Sequence, residues 1–137
     1  VSGSLDIADR DGWACVCCGT RLDTAGRQAS AHHRIHGRRS DNRWSAKILL
    51  WGSGITECHG RWGGTGRAEA YRLGYVISRH DDPVSTLLVP VFYNQRNLGR
   101  VGWMLLDDTG RVIPAGYDDP SLDARELAEV LATERSR

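Results

Sequence analysis

Two short stretches carry the residue types that could do chemistry: Ala31-His32-His33-Arg34-Ile35-His36-Gly37, and Cys58-His59-Gly60, whose cysteine lies 25 residues beyond His33. Histidine is the side chain that accepts a proton or ligates a metal near neutral pH. With an ordinary pKa of about 6.5 it is mostly neutral at pH 7, as a general base must be. Arginine presents a planar fork that matches a phosphate. Arg34, Arg38, Arg39 and Arg43 surround the histidine pair. Each alone reads as a solvated surface charge; the cluster points to phosphate held without regard to base sequence. A histidine pair, a distant third histidine and a basic setting are the parts needed to cut a phosphodiester with one divalent metal.

The cysteines suggest a second site. Cys15 and Cys18 have C-x2-C spacing followed by Gly19, and Cys58 lies 40 residues beyond Cys18. Cys15-Val16-Cys17-Cys18-Gly19 reads as a tight metal-binding knuckle. A closed zinc site needs four ligands, and three are easily counted. Cys17 is a poor fourth, because two adjacent residues in a knuckle rarely face one ion. Bound zinc, thiols without metal and a disulfide remain the three accounts, and no secretion signal favours the last.

Positioning these groups requires particular elements. Neighbouring side chains in a regular strand point to opposite faces. His32 and His33 therefore reach one site only if the strand bends or ends there. His36 shares the face of His32 and serves as a spare ligand or phosphate contact, whereas His80 reads as plain surface. The pattern predicts a polar lead-in over 5–13 with a turn at Arg10-Asp11-Gly12, a strand over 27–35, a polar loop over 37–42 and a buried strand over 48–51. A helix is expected from near Cys58. Another covers 67–73, closed by Gly74 as the residue after its C-cap. Further strands are expected over 75–77, 87–92 and 102–106, the last turning through Asp107-Asp108-Thr109-Gly110 into Val112-Ile113. A final helix over 121–132 would pack through Leu127, Val130 and Leu131, with Pro120 in its first turn.

Composition bounds the reading. At 137 residues, 40% hydrophobic and 26% charged, the chain is an ordinary globular domain. No apolar run approaches membrane-spanning length, so no membrane partner and a cytoplasmic location are expected. The net charge of +1 hides a segregation: up to His80 there are twelve Lys/Arg against seven Asp/Glu, and from Asp81 six against ten. All five histidines and four cysteines precede Asp81. The basic part is the candidate site and the acidic part a support or protein-binding surface.

Several motifs in order resemble the HNH endonucleases of the ββα-metal (His-Me finger) group, most closely the small proteins of actinobacterial phages. The resemblance runs through Arg10-Asp11-Gly12-Trp13-Ala14-Cys15 and Cys18-Gly19, then His32-His33-Arg34. It continues through Leu49-Leu50-Trp51-Gly52-Ser53-Gly54-Ile55-Thr56-Glu57-Cys58-His59-Gly60 and Arg67-Ala68-Glu69-Ala70-Tyr71-Arg72-Leu73-Gly74. It implies an α+β fold: a ββα-metal finger with a zinc-knuckle-like N-terminal part, and a small β-rich C-terminal extension ending in a helix. The expected division is a nuclease core over 1–80 and an extension over 81–137. It further implies His33 as general base, His32 and His59 as ligands of one divalent ion (Mg, Mn, Ni or Zn), and Cys15, Cys18 and Cys58 as ligands of a structural zinc.

The activity implied is DNA endonuclease, nicking or cutting both strands, in the host cytoplasm if phage-encoded. A packaging terminase subunit is the implied protein partner. Three positions depart from the pattern. Trp51 replaces a further zinc cysteine, which puts the structural zinc in doubt. The middle asparagine is absent near Ala46 or Lys47, with Asn42 as the substitute from the loop. Gly64-Thr65-Gly66 stands where another histidine often follows. The alternative expectation is therefore a weakened or inactive DNA-binding or adaptor module of the same fold.

Overall fold

His33 ends a strand. In the computed structural model, which describes residues 4–22, 29–35, 41–52, 66–78 and 85–135, β1 (Ala29–His33) pairs antiparallel with β2 (Lys47–Trp51). His32 is in register with Ile48 and His33 with Lys47. Ile48, Leu49 and Leu50 are all buried, as a continuous apolar run requires. Arg34 bends away, and Ile35 makes a single parallel bridge to Ile77, short of the strand expected over 75–77.

The N-terminal segment is not a polar lead-in. It forms α1 (Ser4–Arg10), with Ile7 and Ala8 buried. A helix this short has no periodicity to read, and its stability comes from what it packs on. The turn after it is present, with Gly12 at φ 70. Its charges, however, point inward. Arg10 forks onto Asp11 through Nε and Nη2, both at 2.9 Å, and donates to the carbonyls of Trp44 and Lys47 at 2.6 Å. Asp11 accepts from the Leu49 amide at 3.0 Å and the Tyr93 hydroxyl at 2.6 Å. A buried ion pair is tolerable because its remaining donors and acceptors are matched.

α2 (Arg67–Arg72) ends as its sequence demands: Gly74 has φ 79 and the Tyr75 amide returns to the Ala70 carbonyl at 2.9 Å. The strand expected over 87–92 is instead a one-turn helix, α3 (Ser85–Leu88), followed by β3 (Val91–Gln95). Thr86 turns its hydroxyl inward onto Ser45 at 2.7 Å, a tertiary contact that the apolar run of Leu87 to Phe92 does not encode. β3 pairs with β4 (Arg100–Leu106), and β4 with β5 (Val112–Pro114), through the expected turn. α4 (Ala124–Arg135) starts after Asp123, whose side chain accepts from the Arg125 amide at 2.9 Å. Its buried stripe is Ala124, Leu127 and Leu131; Val130, expected to pack, is 45% exposed. Val130 lies next to Leu131 and so falls outside the narrow apolar stripe.

The described residues form a mixed α+β structure with two small antiparallel sheets and a C-terminal helix. One core joins the two expected segments, from Ile7 and Leu49 to Trp103 and Leu131. Among the described residues no helix is long and apolar enough to cross a membrane.

Candidate functional site

The strand end separates the two histidines. His32 is 9% exposed, and its Nε2 lies 3.0 Å from the Tyr75 carbonyl. A carbonyl only accepts, so Nε2 donates in this contact, and Nδ1 is the nitrogen a cation could take. That is the arrangement found where histidine binds a cation, the second nitrogen being tethered to a carbonyl. His32 thus fits a metal-ligating role through Nδ1. His33 lies on the opposite face of β1 and is half-buried, with Nε2 shielded from solvent. The Asp41 carboxylate lies within electrostatic reach of its ring.

Asp41 and Lys47, neither singled out by sequence, build the surroundings of His33. Asp41 is held below the usual carboxylate range, first by the hydrogen bonds of the Arg43 side chain. Lys47 is only 3% exposed, and burial pulls its pKa down. Its Nζ reaches the Asn42 side-chain oxygen at 3.4 Å. Asn42 is therefore beside the site, bonded to the lysine that stands near the position expected for the family's asparagine. The signal that could have found Lys47 is its place one residue before an apolar strand, opposite His33 in the hairpin.

The expected phosphate contacts need correction. Arg34 is fully buried and holds no surface phosphate. Its guanidinium donates to the carbonyls of Gly74 (3.0 Å), Ser45 (3.1 Å), Thr86 (3.0 Å) and Val89 (2.7 Å). Two of these carbonyls lie at the ends of short helices, where acceptors lack intrahelical partners. Burial pushes the Arg34 pKa down to about 9. Arg43 is partly exposed, but it forks onto Asp41 at 2.9 Å through two nitrogens and lies 3.8 Å from Asp108. His36, Arg38, Arg39, Cys58, His59 and His80 lie outside the described residues, as does the helix expected from near Cys58.

The knuckle is formed. The Cys15 amide donates to the Thr20 carbonyl at 2.9 Å, and the Gly19 amide to the Cys15 carbonyl at 2.8 Å. Gly19 takes φ 77, which suits glycine. The sulfurs of Cys15, Cys17 and Cys18 lie within 4.8 Å of one another, so these three could hold a metal. Cys17, set aside on the sequence, faces the same point as its neighbours. The turn curls tightly enough to bring all three side chains to one side. The knuckle is fastened on both flanks, by Val16 to the Leu49 carbonyl at 3.0 Å and by Asn94 to the Val16 carbonyl at 2.8 Å. Trp51 packs at the edge of the core.

Comparison with known protein families, curated proteins and solved structures finds no match.

Proposed function

We propose that this chain is a metal-dependent DNA endonuclease of the ββα-metal (HNH) type, hydrolysing phosphodiester bonds with His33 as general base. The observation that supports the reading is the end of β1. There His33 stands beside Asp41 and Lys47, and this placement supports the reading; His32, tethered by its Nε2 to the Tyr75 carbonyl, lies on the opposite face and is not brought to the same point. The tether holds the His32 ring, with Nδ1 as the nitrogen a cation could take. His33 accepts the proton of the attacking water; with Nε2 shielded, that role falls to Nδ1. Asp41 would stabilise the imidazolium that results.

A divalent ion on His32 and His59, of the Mg, Mn, Ni or Zn class, would supply Lewis-acid stabilisation of the phosphate charge. In the same reading Cys15, Cys18 and Cys58 are ligands of a structural zinc, and Arg38 and Arg39 hold flanking phosphates.

One observation favours the second reading, a weakened or inactive DNA-binding or adaptor module. Arg34 is spent on the interior and Arg43 on Asp41 and Asp108, so two of four expected phosphate contacts are committed elsewhere.

Supercoiled plasmid separates the two. The nuclease reading expects nicking with Mn, Ni or Mg, abolished by chelator and reduced at least about 100-fold in His33→Ala, the scale of general-base catalysis. Circular dichroism of the variant must match the wild type. Salt-dependent binding without cleavage in every metal would establish the inactive module instead.

A further inference from the structure

We propose that Cys17 joins Cys15 and Cys18 as a third thiolate on a single zinc ion, held within the N-terminal knuckle. This keeps the structural metal of the reading above, takes Cys17 in place of Cys58 as the third sulfur, and does not rest on nuclease activity.

The argument is one of spacing and chemistry. With zinc–sulfur bonds of about 2.3 Å, two thiolates of a tetrahedral site stand about 3.8 Å apart. Cys15 Sγ lies 3.4 Å from Cys17 Sγ, and all three sulfurs fall within 4.8 Å of one another. The 3.4 Å separation is close to the tetrahedral value and well beyond the disulfide bond length of about 2.05 Å. None of the three is in a disulfide. Soft sulfur donors select zinc and similar thiophilic ions, and leave magnesium and calcium to oxygen ligands.

The backbone already has the required curvature. Gly19 adopts a left-handed φ of 77, and its amide closes onto the Cys15 carbonyl, so the sulfurs converge without rearrangement. Burial is graded along the turn, with Cys15 buried, Cys17 intermediate and Cys18 exposed. The ion therefore sits at the rim of the core, reachable by a chelator, with one coordination position beyond the three sulfurs. Through Val16 the knuckle is bonded to both β2 and β3. Loading it should stabilise the contact between the histidine hairpin and the C-terminal sheet.

The test uses the full chain, reduced and stripped of metal, titrated with Co2+ and with Zn2+. Expected are one ion per chain by native mass spectrometry, a sulfur-to-cobalt charge-transfer band, and a higher Tm with zinc. Cys17→Ser should cut that band by roughly a third if three thiolates contribute, and weaken zinc at least about tenfold. Should that variant fold poorly, alkylation of the wild type gives a second readout: zinc should protect Cys15, Cys17 and Cys18, and chelator should expose them. The proposal is overturned by no charge-transfer band in the wild type, by an unchanged band in Cys17→Ser, or by Cys17 alkylating equally fast with and without zinc. None of these readouts involves cleavage, so a protein that never cuts DNA can still pass, and a nuclease can still fail.

Discussion

Arg34 shows how one residue can be assigned the wrong work. Next to a histidine pair it reads as a phosphate clamp; in the fold it donates to four carbonyls drawn from three segments. A buried arginine so placed is a structural rivet, because each carbonyl it serves would otherwise lose its partner away from water. Arg34→Met should cost about 3 kcal/mol or more by urea denaturation, since several buried acceptors are orphaned at once. Arg34→Lys should recover only part of this, because an ammonium cannot reproduce the planar fork. A midpoint for Arg34→Met within error of the wild type would refute the role. The same ambiguity governs Cys17: its type and spacing were visible, but whether it points with Cys15 and Cys18 depends on how tightly the turn curls.

At the scale of elements, the pieces legible in the sequence are those whose signals are local. The apolar run into Trp51, the helix closed by Gly74 and the hairpin turned by Asp107 to Gly110 all appear where composition puts them. α1 was missed because seven residues offer too few turns for a periodic pattern, and α3 because its four residues sit inside an apolar stretch that reads equally well as strand. Gly74 is the most constrained of these local signals. It has φ 79, and a Cβ there would stand 2.0 Å from the Pro90 carbonyl oxygen. Gly99 has φ 69 with nothing within 4 Å of such an atom. Gly74→Ala should therefore cost about 3 kcal/mol, left-handed strain plus a backbone clash, and Gly99→Ala about 1 kcal/mol, strain alone. Equal thermal shifts in the two variants would show that the approach to Pro90 is not limiting.

For the whole molecule, charge links stability to pH. Asp41 is held below its ordinary pKa first by Arg43, and Asp119 first by the Ser121 amide. Asp107 faces an opposing effect of burial, which the Arg111 and Thr109 hydrogen bonds outweigh, so it too is lowered. Depressed folded-state values mean that the unfolded chain binds more protons between the two pKa values. This contribution is full above the unfolded aspartate value, about 3.9, and is lost as pH falls through the lower folded values. Melting temperature should thus be insensitive to these groups from pH 7 to 5 and fall below about pH 4. Asp41→Asn should lower Tm at pH 7 and converge with the wild type in strong acid. A constant offset at all pH would contradict the linkage.

Sequence by itself determined the strand that presents His32 and His33, the glycine-closed helix and the cysteine turn. Each follows from residues within a few positions of one another, where sterics, turn chemistry and side-chain alternation act. Tertiary structure alone decided the fate of the charges. Arg10, Asp11, Arg34 and Lys47 are buried because carbonyls, amides and a tyrosine hydroxyl arrive from segments up to 82 residues away. A charged side chain can leave water only where such partners are assembled, and assembly is a property of the fold.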